Sequence, residues 1–151
     1  MEIRLDDLGG QQVRNLLAAH LAGMQENSPP ESVYALDLSG LQAAGVSVWT
    51  AWDGDDLMGI GALKQLSSST GEIKSMRTDP RHLRKGVGLA MLDHIIAAAR
   101  ERGYRRLSLE TGSGAEFEAA LTLYRKRGFA NGKPFGAYRP TEFNQFLHLE
   151  L

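Results

Sequence analysis

Arg81-His82-Leu83-Arg84-Lys85-Gly86-Val87-Gly88-Leu89-Ala90 carries the densest chemical signal in the chain. Its glycines stand between an extended stretch and apolar residues at helical spacing. A helix start presents unpaired N–H groups and a positive dipole end, and glycine lets a phosphate approach the backbone closely. Arg84 and Lys85 add formal charge. The chemistry implied is a diphosphate cradle, with a tight strand-to-helix turn as the other reading of Gly-x-Gly. Two familiar nucleotide motifs fit poorly. A Walker loop needs Gly-Lys followed by a hydroxyl residue, and Lys85 precedes its glycines; a dinucleotide fingerprint needs a third glycine where Met91 stands.

The elements that would hold this loop follow from periodicity. Glu2–Leu5 reads as a strand, and Val13, Leu16, Leu17 and Leu21 mark a first helix. Ser28-Pro29-Pro30-Glu31 has the form of a capping box and predicts a second helix running toward Leu41. A hairpin about Asp53-Gly54-Asp55-Asp56 and a third strand over Glu72–Thr78 predict a meander. The longest helix follows Gly88, with Leu89, Leu92, Ile96 and Ala99 recurring along it. Leu107–Leu109 is the next strand; Phe117, Leu121 and Tyr124 line a further helix ending at Gly128, and Phe143–Leu149 closes the sheet. A strand–helix–strand step between 72 and 110 implies one parallel pair within an otherwise antiparallel sheet. The fold class is therefore a mixed α/β domain with helices on both faces of the sheet, a single unit over residues 1–151.

Composition narrows the chemistry. The 151 residues are 42% hydrophobic and 23% charged, and contain no cysteine. Disulfides, thiolate metal sites and a cysteine nucleophile are excluded. No apolar run approaches the roughly 20 residues that span a bilayer, and the first residues lack the pattern of a secretion signal, so a cytoplasmic location is expected. The net charge of −1 argues against general nucleic-acid binding. It conceals nine acidic against two basic side chains in residues 1–60, and seven Lys/Arg against two acids in residues 81–106. The basic cluster Arg100, Arg102, Arg105 and Arg106 ends a helix, where cations are locally favourable, and is read as a solvated helix end.

The whole arrangement resembles the GNAT (GCN5-related) N-acetyltransferases. The residues that carry the likeness are Arg84-Lys85-Gly86-Val87-Gly88 opening the central helix, and Leu123-Tyr124-Arg125-Lys126-Arg127-Gly128-Phe129 at the end of the next. His20, Met24, Ser28-Pro29-Pro30-Glu31-Ser32 and the stretches from Gly71 to Thr78, His82 to Val87 and Leu107 to Ser113 are similar to the YsnE-type bacterial branch. Two positions depart from the family pattern. Leu83 stands where Gln or Arg is usual, and Phe117 where an asparagine often contacts the pantetheine arm.

The resemblance implies acetyl-CoA as donor, with no metal and a small-molecule amine as acceptor. Its diphosphate would lie over Arg84, Lys85, Gly86, Val87, Gly88 and Leu89, and its pantetheine between Met76-Arg77-Thr78 and Thr111. Tyr124 matches the tyrosine that protonates the departing thiolate in many relatives; an amphipathic-helix core tyrosine is the plain alternative. Glu72 stands where some relatives place a base, and is equally read as an ion-pair partner of Lys74. Strand alternation puts Glu72, Lys74, Met76 and Thr78 on one face. His20 is a second base candidate on the acceptor side, or an ordinary half-buried helix residue, and Glu31 is assigned to the capping box first and to substrate second. The acidic first 60 residues favour a cationic acceptor over an anionic one. A non-catalytic acyl-CoA sensor, and a structural or partner-binding domain whose strands 143–150 pair across a homodimer, are the competing readings.

Overall fold

In the computed structural model, which describes residues 1–151, the chain runs β1 (Glu2–Leu5), α1 (Gln11–Asn27), α2 (Leu38–Leu41), β2 (Val46–Asp53), β3 (Asp56–Gln65) and β4 (Thr70–Thr78). It continues through α3 (Val87–Glu101), β5 (Arg106–Thr111), α4 (Glu118–Lys126), β6 (Ala130–Asn131) and β7 (Gln145–Glu150). One seven-stranded sheet has the order β1-β2-β3-β4-β5-β7-β6. Every neighbouring pair is antiparallel except β4 and β5, which α3 connects as a crossover. The parallel step expected between 72 and 110 is therefore present. No helix is long and apolar enough to cross a membrane.

Two cores flank the sheet. On one face Val87, Met91, Leu92, Ile95 and Ile96 of α3 and Leu121 and Tyr124 of α4 bury against Leu63, Ile73, Leu107 and Leu109. On the other, Val13, Leu16 and Leu17 of α1 and Leu41 of α2 cover Val48, Leu57, Ile60 and Ala62. The buried stripe of α1 is completed by His20 and not by Leu21, which is only half-buried. His20 lies seven residues beyond Val13, on the same helical face.

The helix predicted from Ser28 does not form. Only a 3₁₀ turn spans Pro30–Ser32; Ser28 is extended, its hydroxyl caps nothing, and the regular helix shrinks to Leu38–Leu41 behind an Asp37 cap. Consecutive prolines remove two amide donors and the residue before each is held extended. Tertiary contacts then take the segment: Tyr34 stacks edge-on against Tyr138 at 4.8 Å and its hydroxyl accepts from the Arg139 amide. Residues 28–37 thus form a strap lying on the 132–144 connection.

A second difference lies within β4. Lys74 pairs with Ala62 and Arg77 with Ile60, so Ser75 and Met76 together oppose Gly61. Ser75 adopts a positive φ of 56°. This bulge overturns the simple alternation: Glu72 and Lys74 face α1, whereas Met76 and Thr78 face α3. Arg77, which strict alternation would place opposite Lys74, shares its face and reaches Gly23 of α1.

Gly61 makes the bulge fit. A Cβ there would lie 2.7 Å from Met91 Cγ and 2.8 Å from Met76 Sδ. Gly61→Val should push α3 away from the sheet and destabilise the domain by about 1–3 kcal/mol, read as a lower urea midpoint at unchanged slope. A variant as stable as the wild type would show that the contact relaxes freely.

Candidate active site

The parallel pairing of β4 with β5 covers only Thr70–Glu72 against Arg106–Ser108. Beyond it the strands diverge: β4 stays on β3 and β5 stays on β7. A cleft of about 470 Å³ opens there, walled by Met76, Thr78, Leu109, Thr111 and Tyr124 among others. Its facing strand edges carry main-chain groups that no neighbouring strand satisfies, a vacancy that an extended ligand fills by hydrogen bonding along the edge.

At the mouth of the cleft lies the glycine turn. No amide from Leu83 through Leu89 donates to another protein group, and the first helical bond is Ala90 N–H to Gly86 O at 3.0 Å. Gly86 takes φ 80°, a left-handed conformation suited to glycine, and Arg84 takes φ 63°. Unpaired amides at the start of the 15-residue α3 leave hydrogen-bond donors free at the positive end of the helix dipole. Val87 and Gly88 line the cleft, while Arg84, Lys85 and Gly86 are exposed in the turn and Leu89 is half-buried in the first helical turn. Leu83, at 57% exposure, forms part of the rim. The turn is braced from below. Lys85 Nζ donates to His82 Nδ1 at 3.1 Å, so the ring carries its proton on Nε2 and donates to Asp56 Oδ2 at 2.7 Å.

Tyr124 stands in the cleft wall with its ring edge-on to Phe129. Burial raises its phenol pKa, which keeps it protonated. Phe117 lines the wall where an asparagine was absent, packed edge-on to Phe143. His20 reaches the cleft from α1; burial, then the Arg77 charge, lower its pKa to about 4, so the imidazole is neutral at pH 7. Its Nδ1 has no partner.

Glu72 is not on the cleft wall. Its carboxylate accepts from Lys74 Nζ at 3.2 Å and from the Tyr138 hydroxyl, and Lys74 also donates to that hydroxyl at 2.6 Å. The ion-pair reading of Glu72 is the geometry found. Glu31 is exposed in its 3₁₀ turn and neither caps a helix nor lines the cleft.

Glu110, Tyr34 and Tyr138 are the residues that sequence reasoning missed. Glu110 lines the cleft from β5, on the Lys74 side, and burial raises its carboxyl pKa to about 7, partly offset by Asn144 and Lys74. The available signal was a charge inside a central strand, where charges are rarely placed without use. The acidic first 60 residues do not shape the cleft. Asp56 braces His82 and Arg81, Asp37 caps α2, Asp6 accepts from Thr50, and none of the nine acids lines the cavity. The basic cluster is likewise dispersed: Arg102 donates to Ser47 and Arg106 pairs with Glu150. Strand β7 sits between β5 and β6, so residues 145–150 are not a free edge. No group of three or more His, Asp or Glu side chains is arranged to hold a metal ion.

The neutral His20 has a consequence for stability. Its folded pKa of about 4 lies below its ordinary 6.5, so the native state binds fewer protons than the unfolded chain between those values. Stability is present above pH 6.5 and falls as pH drops toward 4. Between pH 7 and 4 the wild type should lose up to about 3 kcal/mol more than His20→Leu. Parallel stability–pH curves would refute the assignment.

Residues 12–129 match the Acetyltransferase (GNAT) family. The chain is 54% identical over 151 residues to the uncharacterized N-acetyltransferase YsnE of Bacillus subtilis (strain 168), covering all of both chains. It is 48% identical over 149 residues to the uncharacterized N-acetyltransferase YedL of Escherichia coli (strain K12), covering 99% of this chain and 94% of that one. An acyl-CoA N-acyltransferase structure from Klebsiella pneumoniae superposes with a TM-score of 0.82 at 28% identity, covering 99% and 97% of the two chains. A GNAT acetyltransferase from Elizabethkingia anophelis, solved with acetyl-CoA bound, shares the fold with a TM-score of 0.73 at 19% identity, covering 99% and 97%. With the splayed parallel pair, the unpaired amides opening α3 and the cleft tyrosine already in place, these likenesses lead to one conclusion: the chain belongs to the GNAT family of acetyltransferases.

Proposed function

We propose that the protein transfers an acetyl group from acetyl-CoA to the amine of a small molecule by direct attack. The observation that carries this reading is the continuous path from the unpaired Leu83–Leu89 amides through the β4/β5 notch to Tyr124 and Glu110. The amides of the turn, with Arg84 and Lys85 beside them, hold the diphosphate. The diverging edges of β4 at Met76–Thr78 and β5 at Leu109–Thr111 hold the pantetheine arm between them. Main-chain N–H groups at the bulge polarise the thioester carbonyl.

Glu110 takes the proton from the incoming ammonium, which frees the nitrogen lone pair for attack on the carbonyl carbon. As the C–N bond forms and the C–S bond breaks, Tyr124 gives its proton to the departing sulfur, and the second proton of the acetylated nitrogen restores the phenol, leaving a neutral amide and free CoA thiol; Glu110 then releases its proton to water. A carboxyl with a pKa of about 7 suits this role near neutral pH. His20 is a poor base at a pKa of about 4, and Glu72 is occupied by Lys74 and Tyr138. With no cysteine in the chain, no acetyl-cysteine intermediate is available, which favours direct transfer with both substrates bound together.

Calorimetric titration with acetyl-CoA and a thiol-release assay across an amine panel test the proposal; donor binding with no turnover on any amine would favour a sensor instead. Tyr124→Phe should lower kcat about 100-fold with little change in donor affinity. Glu110 must be ionised to act, so kcat/KM should climb as pH rises toward about 7 and level off above it. Glu110→Gln should be slower and lack that ascending limb. A variant that keeps the limb would transfer the base role elsewhere.

A further inference from the structure

The charges along the cleft are unevenly matched. Lys74 is neutralised by Glu72 and hydrogen-bonded to Tyr138. Arg77 has neither kind of partner: it enters no ion pair and no hydrogen bond, and its Nε is buried without an acceptor. Every other arginine either donates a hydrogen bond, as Arg4, Arg14, Arg81, Arg102, Arg106, Arg125 and Arg127 do, or is exposed to water. A buried guanidinium nitrogen without an acceptor is costly unless a ligand supplies one. Two further orphaned atoms lie on the same cleft, His20 Nδ1 and Ser75 Oγ.

The β4 bulge gives this cation its place. It sends Met76 and Thr78 toward α3, where the donor's phosphates would be held, and sends Arg77 toward α1, against Gly23, where a Cβ would lie 3.3 Å from its Nη1. The Arg77 side chain is therefore on the acceptor side of the sheet, whatever its main chain contributes to the donor. Nothing there neutralises it. His20 is uncharged, and neither Glu110 nor the exposed Glu116, the two acids on the same cleft, makes an ion pair with Arg77.

We propose that Arg77 anchors a carboxylate of the acceptor, so that the substrate is an amine carrying its own carboxylate, with the amine held toward Glu110. The guanidinium fork matches a planar carboxylate through two parallel N–H···O bonds. A monoanion fits better than a phosphate dianion, because Arg77 is the one unmatched cation in a cleft that also holds two carboxyl groups, Glu110 and the exposed Glu116. Met24, Ala35 and Tyr34 line the adjoining wall and offer apolar surface to the rest of a small substrate. This inference rests on the acetyl-transfer reading given above and narrows its acceptor.

The test compares L-amino acids with their own primary amides and decarboxylated amines, in the wild type, Arg77→Met and Arg77→Lys. Differences in amine reactivity cancel when the carboxylate-to-amide ratio of kcat/KM is compared between variants. That ratio should fall about 30-fold in Arg77→Met, mostly through KM, and by less in Arg77→Lys, which keeps the charge and loses the fork. Titration with CoA checks that each variant retains a folded donor site. A wild-type preference for amides or decarboxylated amines, or a ratio that survives Arg77→Met, overturns the proposal while leaving acetyl transfer intact. If CoA binds and no amine is acetylated, the transfer reading fails separately. The same amino acids and amides are then titrated into the CoA-loaded protein: carboxylate-selective binding that disappears in Arg77→Met supports the anchor, and its absence refutes it.

Discussion

The bulge at Ser75–Met76 is the constraint on which the rest of the site depends. By setting two residues of β4 against Gly61, it turns the strand over midway. Glu72, Lys74 and Arg77 come to one face and Ile73, Met76 and Thr78 to the other. Parallel pairing with β5 ends just before it, at Glu72, so β4 and β5 separate where the strand changes hand. One local irregularity thus opens the cleft and sorts the polar groups facing α1 from the apolar wall beneath α3. Gly61 suits this place because a Cβ there would force the Met91 and Met76 side chains to shift.

Electrostatics in the cleft follow from which charges are already matched. Glu72, Lys74 and Tyr138 form a closed group that fastens the 132–144 connection to the sheet, with Tyr34 of the strap packed on Tyr138. Within such a group each charge satisfies another and little is left for a ligand. The groups without an ion-pair partner are Arg77, Glu110, the exposed Glu116 and a neutral His20. The net charge of a segment had no bearing on this: the acids of residues 1–60 are spent on turns, caps and the brace beneath the glycine loop.

That brace joins parts of the chain that are distant in sequence. Asp56, beside the β2–β3 turn, holds His82, and His82 accepts from Lys85, so the loop opening α3 is fixed to the sheet from below while its amides stay free above. A conformation with positive φ at both Arg84 and Gly86 is sustained by such support.

What the sequence determined by itself was the part governed by local rules. The apolar spacing of α3, the turn at Asp53–Asp56, the glycines at 86 and 88 and the Tyr124 helix are each written within a short window, and together they carried the family resemblance. The tertiary structure decided the rest. The capping-box residues Ser28–Glu31 became part of a strap because two prolines and the contact of Tyr34 with Tyr138 outweighed a local helix signal. The face of each β4 residue depended on a bulge that only pairing with β3 reveals. Glu110, Arg77 and His20 acquired their character from neighbours far along the chain, since burial and unmatched charge are properties of packing and not of residue type.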